Sequence, residues 1–118
     1  MTEAAPLAIT GWHAHVYYDD AESRARAARV REGVDAEFDV RLGRWRDEPV
    51  GPHLKPMFQI AFAPEAFAAV VAWLALHHDG LAVLIHPETG DHVADHTEHA
   101  LWLGDRLGVN VDALQPRD

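Results

Sequence analysis

The sequence predicts an α+β fold of the ferredoxin-like kind, βαββαβ, with a four-stranded antiparallel sheet, helices on one face and an added C-terminal helix. Two observations predict it. Short runs with strand character recur at Gly11–Tyr18, Phe38–Leu42, Pro56–Ala63 and Leu81–His86, and most alternate with the period of a half-buried strand. Two runs of helical character follow the first and the third of them. The 118 residues suit one core, and no repeat or linker divides them, so a single domain over 1–118 is expected.

Each element has a local reason. Gly11–Tyr18 is rich in Trp, Val and Tyr, which fit the pleat, and Asp19-Asp20 ends it. Asp20 to about Glu37 reads as a helix. Asp19 or Asp20 can cap it, Glu22 adds negative charge at its start, and Arg26, Arg29 and Arg31 lie further along. Its buried face is thin, mostly alanine with Val30 and Val34. Phe38, Val40 and Leu42 alternate with Asp39 and Arg41 as a second strand. Gly43 to Pro56 holds three prolines and two glycines without a period. It reads as a loop too long for a simple connector.

In the third strand Phe58, Ile60 and Phe62 face one way, and Met57, Gln59 and Ala61 the other. Pro64 suits the first turn of the next helix, which runs through Leu76. Asp79-Gly80 stops it, the fourth strand follows, and HPETGD turns the chain. Asp95 then caps a last helix. Glu98 completes a capping-box pattern, and the helix carries Leu101, Trp102 and Leu107 as far as Gly108.

Composition excludes several functions. The formal charge of −9 argues against nucleic-acid binding, which needs a basic surface. With no cysteine, disulfides, thiolate nucleophiles and Cys-based metal sites are ruled out. MTEAAPLAIT lacks the basic and apolar regions of a signal peptide, and the apolar run near Ala66–Leu76 is too short to span a bilayer. A cytoplasmic protein with no membrane partner is expected.

Nine histidines need a site-by-site account. If helices cover the face bearing Trp12, Ala14, Val16 and Tyr18, alternation sends His13, His15 and Tyr17 to the other face. Met57, Gln59, Ala82, Leu84 and His86 join them there. In this topology the first and third strands are central neighbours and the fourth flanks the first, so His13, His15 and His86 converge. The loop carrying Arg44, Arg46, His53 and Lys55 leaves from the same sheet and can fold over that face. Residues i and i+2 of a strand lie roughly 6.6 Å apart on one side, close enough for two imidazoles to lean onto one ion. The same face can instead be a half-wet interface between subunits. His77 and His78 suit a helix C-terminus, and His92 and His99 read as surface or supporting residues. His96 lies near the turn and can approach His86. Trp12, Trp73 and Trp102 read as core, whereas Trp45 can stack on a ligand or pack in an interface.

The segments WHAHVYYD, GPHLKPMFQIAF and LIHPETGD followed by DHTEHALWLG together resemble the DOPA 4,5-dioxygenase family, from about Gly11 to Leu114. The resemblance implies a small domain, commonly dimeric, similar to extradiol ring-cleaving enzymes that act on catechols such as L-DOPA with non-haem Fe(II) and O₂. It implies His13, His15 and His86 as metal ligands. His53 would be the acid–base group, with Tyr17 beside it at the reacting end. Gln59 would orient substrate with Tyr17, His96 would line the site, and Arg44, Arg46 or Lys55 would hold an amino-acid carboxylate.

Non-haem iron oxygenases usually use two His and one carboxylate, yet the strands put no Asp or Glu on the histidine face. Asp39, Glu88, Asp91 and Asp95 are candidate third ligands. The alternatives are an all-histidine site or a carboxylate from a partner chain. Zinc can occupy the same imidazoles in the protein as purified. Three other functions remain open: a non-catalytic dimer that binds a small ligand or metal, a zinc hydrolase (though no Glu is placed as its base), and a pure interaction module. A homodimer is expected because an edge strand and an open sheet face both need covering.

Overall fold

The computed structural model describes residues 9–114. Most of the MTEAAPLAIT segment read for a leader, and both ends of the expected 1–118 domain, lie outside the described residues. The element order is β1 (Trp12–Tyr17), α1 (Ala21–Glu37), β2 (Arg41–Leu42), β3 (Met57–Phe62), α2 (Phe67–His77), β4 (Val83–Pro87), α3 (His92–His96) and β5 (Leu101–Leu103). Short 3₁₀ turns cover Pro64–Ala66 and Val111–Leu114. The sheet has five strands in the order β2-β3-β1-β4-β5, and every pairing is antiparallel. The first four follow the expected split βαβ order.

Asp20 caps α1 and forms a capping box with Ser23, whose hydroxyl takes the backbone N–H of Asp20. The thin apolar stripe of α1, Ala27, Val30 and Val34, packs with Val70 and Leu74 of α2 over Ala14, Val16, Phe58, Ile60, Val83 and Ile85. Gly33 lets the two helices approach: a Cβ there would lie 2.7 Å from the ring of Trp73.

Three expectations need correction. The second strand is shorter than Phe38–Leu42, because Phe38 closes α1 with its N–H on the Val34 carbonyl and only Arg41 and Leu42 pair with β3. The sheet has five strands rather than four. The C-terminal helix from Asp95 to Gly108 is not formed: α3 is only five residues long and is capped by Asp91, not Asp95. Leu101, Trp102 and Leu103 pair with β4 instead. Gly104, at φ +68°, then turns the chain so tightly that a Cβ would lie 2.8 Å from the Leu81 carbonyl oxygen.

The C-terminal segment therefore lies across part of the face expected to be open. Ala100, Trp102, Leu107 and Val109 pack there on Tyr17, Met57 and Leu84 as a second, smaller core. The backbone N–H of Asn110 donates to the Pro52 carbonyl at 2.8 Å, tying this segment to the long loop. Among the described residues no helix is long and apolar enough to cross a membrane.

Candidate metal centre and its cavity

The register of the sheet builds the site. His13 of β1 lies directly opposite His86 of β4, and His15 lies opposite Gln59 of β3, so period-2 alternation puts all four on one face. Ligand atoms of His13, His15 and His86 lie within 4.8 Å of one another, the one such group among the described residues. The Nε2 atoms of His15 and His86 are 3.1 Å apart, a spacing that two imidazoles bound to one ion at about 2.0–2.1 Å can have. His86 donates from Nδ1 to the Pro87 carbonyl at 3.0 Å, which leaves its Nε2 a bare acceptor.

Burial keeps these rings neutral, the state a metal ligand requires. Desolvation pushes the His15 pKa well below its ordinary value, with His53 and His86 adding to the effect. It takes His86 down to about 3, against the opposing pull of the Pro87 hydrogen bond. It lowers His13 as well, outweighing the nearby Glu88 carboxylate. The Nδ1 of His15 is buried without a hydrogen-bond partner, a cost of about 1–3 kcal/mol. Such a cost is tolerated where a site needs the group. A set of neutral, converging imidazoles fits a first-row transition metal.

The long loop folds over this face as expected. The His53 ring lies tilted against His15 with centroids 4.1 Å apart, and its Nδ1 shares a 2.7 Å hydrogen bond with the Tyr17 hydroxyl. Burial brings His53 down to about 4, helped by His96, and burial raises the Tyr17 phenol. His96 completes the cluster. Its ring lies 4.0 Å from that of His86 and 6.3 Å from that of His53, and its Nδ1 donates to the His92 carbonyl at 2.7 Å. A cavity of about 220 Å³ opens beside His15 and His53, lined also by Arg44, Arg46, Met57 and Gln59. A larger one, about 420 Å³, opens on the outer side of His13 between Asp39, Arg41 and Glu88.

Two expected contributors are elsewhere. Lys55 is held by Asp19 at 2.8 Å and does not line the cavity of Arg44 and Arg46. Trp45 turns to the helix side, 5.0 Å from Phe58 and beneath the Arg24 guanidinium at 4.0 Å. The reason is local pairing: Arg46 exchanges both backbone hydrogen bonds with Met57, so alternation sends Trp45 to the core and its neighbours to the histidine side.

Two residues were undervalued by sequence reasoning. Trp102, read as core on a C-terminal helix, packs from β5 in the smaller core instead and stacks 6.0 Å from Tyr17 on the histidine face. Glu88, assigned to a turn, extends the β4 ladder: its N–H and carbonyl pair with Gly11 and Thr10. It therefore shares the face of His86, two residues earlier, and meets His13 Nδ1 at 2.8 Å. It was already a candidate third ligand, and continuing the alternation past Pro87 would have put it on this face. Asp91 and Asp95 are engaged elsewhere, Asp91 on Ala94 and Asp95 on Thr89 and His99.

Fold and site together define a small α+β protein whose sheet gathers histidines around one point able to hold a metal. A sequence model of the Dopa 4,5-dioxygenase family matches residues 12–113, and the chain belongs to that family. The DOPA 4,5-dioxygenase of Amanita muscaria is 31% identical over 114 residues, covering 90% of this chain and 50% of that protein. An uncharacterized 21.2 kDa protein of Botryotinia fuckeliana is 32% identical over 127 aligned positions, covering 98% and 69%. This chain thus spans only half the length of the Amanita enzyme. A crystal structure of a "putative dioxygenase" from Nostoc punctiforme PCC 73102 superposes with a TM-score of 0.90 at 54% identity, covering 95% of this chain and 96% of that one.

Proposed function

We propose that the protein is an extradiol dioxygenase that opens the ring of a small catechol, of which L-DOPA is one example. The observation that carries this reading is the convergence of His13, His15 and His86, with His15 lining a cavity of about 220 Å³, in a chain of the Dopa 4,5-dioxygenase family. His13, His15 and His86 would hold non-haem Fe(II), which would supply the Lewis-acid and oxygen-activating chemistry of ring opening.

The chain's own groups do the rest. His53 is neutral and, lying against His15, is placed to take a proton from a catechol hydroxyl and return it later. Tyr17 fixes the His53 ring through the 2.7 Å hydrogen bond. Gln59 orients the ring hydroxyls. Arg44 and Arg46 supply positive charge to the cavity wall and suit a substrate with a carboxylate. His96 closes the side next to His86. The protein works as a homodimer in this reading, which the exposed Leu101 on edge strand β5 supports.

A second reading is favoured by the all-imidazole ligand set: a zinc- or ligand-binding dimer without turnover, since zinc accepts three histidines. Anaerobic loading with Fe(II), then L-DOPA and oxygen, separates the two. Oxygen uptake with a new visible absorbance, lost in His15→Ala, is expected. Stoichiometric metal without oxygen uptake on any of a panel of catechols would overturn the enzyme reading.

A further inference from the structure

We propose that Glu88 is the positioning residue that fixes the His13 ring, so that its Nε2 faces the ion. The inference rests on the metal-site reading above and names the group that completes it.

The rings of the cluster differ in what their Nδ1 atoms meet. His86 gives its Nδ1–H to the Pro87 carbonyl at 3.0 Å, and His96 gives its own to the His92 carbonyl at 2.7 Å. Both rings are thus held by backbone. The Nδ1 of His13 instead meets a side chain, the Glu88 carboxylate, at 2.8 Å. The same Oε1 lies 3.8 Å from His86 Nδ1. Glu88 therefore stands behind two rings at once, on the side away from the 3.1 Å contact between the Nε2 atoms of His15 and His86. It is not among the groups whose ligand atoms converge within 4.8 Å. It can orient His13, fix the tautomer with hydrogen on Nδ1, and make Nε2 more basic, as carboxylates behind metal-bound histidines do.

His13 needs this support more than its neighbours. Its side chain is 27% exposed, whereas His15 and His86 are sealed by packing. Glu88 is itself well anchored. Its backbone pairs with Thr10 and Gly11 at 2.9 Å, and the next residue, Thr89, is clamped by Asp95 through its N–H and hydroxyl at 2.8 and 2.6 Å.

The test uses Zn(II) as probe, with the full chain, a competing chelator, and Glu88→Ala, Glu88→Gln and His15→Ala. Glu88→Ala should weaken Zn(II) binding about 10- to 100-fold. Glu88→Gln, which keeps an acceptor oxygen but not the charge, should weaken it less. Nitrogen-15 NMR of the metal-free wild type should place the His13 proton on Nδ1, and Glu88→Ala should mix the tautomers. Unchanged affinity and an unchanged tautomer in Glu88→Ala would overturn the inference while leaving the site intact. Loss of Zn(II) as complete as in His15→Ala would overturn it in favour of direct ligation. A wild type that takes up no Zn(II) would overturn the metal site itself.

Discussion

The two faces of the sheet are equally dry in places and built on opposite principles. On β1, Ala14 and Val16 are fully buried under the helices, and His15 between them is only 3% exposed on the other side. The helix side is closed by aliphatic and aromatic groups that need no partner. The other side pairs a smaller apolar core around Leu84 and Trp102 with a cluster of imidazoles, a tyrosine hydroxyl and a carboxylate, in which one His15 nitrogen is left without a partner. The first face contributes stability through apolar area. The second holds lone pairs in a small volume, at a cost the first must offset.

Acid should separate the faces most strongly. His86 and His53 titrate at about 3 and about 4 in the fold, against about 6.5 in an unfolded chain. The unfolded state therefore binds protons first. Stability of the metal-free protein should be unaffected by these two rings above pH 6.5. It should fall as pH drops towards their folded values, by up to about 1.4 kcal/mol per pH unit for each ring. Chemical denaturation from pH 7 to 4.5 measures this. A flat profile would mean that the rings are already solvated, and the contrast between the faces would fail.

Truncation on the helix side should do the reverse. Phe58→Ala removes a fully buried ring from the centre of the main core and should cost about 3–5 kcal/mol. Metal affinity of the fraction that remains folded should be unchanged, since Phe58 faces away from His15. Denaturant unfolding read beside Zn(II) titration checks both halves. A large loss of affinity would show that the two faces are mechanically coupled through β3.

How far each face was legible in the sequence follows from the same difference. The helix side could be read because Trp12, Ala14 and Val16, and again Phe58, Ile60 and Phe62, repeat a simple period that only burial explains. The convergence of His13, His15 and His86 could be read too, because strand order and alternation suffice to bring them together. Of what covers the histidine face, the long loop with His53 was legible, and the C-terminal segment was not. Leu101, Trp102 and Leu103 carry as much helical as strand character over so short a run, and tertiary pairing with β4 decides between them. Trp45 was equally ambiguous until the backbone exchange between Arg46 and Met57 fixed which side it takes.

The corner before β5 offers the finest distinction. Sequence pattern favoured Asp95 as a helix cap, whereas Asp91 caps α3 by accepting from the Ala94 N–H at 3.1 Å. Asp95 is almost fully buried and accepts from Thr89 twice and from His99 at 3.1 Å. Burial alone would raise its pKa, and the Thr89 and His99 hydrogen bonds outweigh it and hold the carboxyl below its ordinary value. Asp95→Ala would remove the buried carboxylate that accepts from the half-buried Thr89 N–H and hydroxyl and should cost about 1–3 kcal/mol. Asp91→Ala, at the start of a single short turn, should cost about 0.5–1 kcal/mol. Urea unfolding of the two variants ranks them. The reverse ranking would make Asp95 dispensable, and Glu88 would then owe its place to the Gly11 and Thr10 pairing alone.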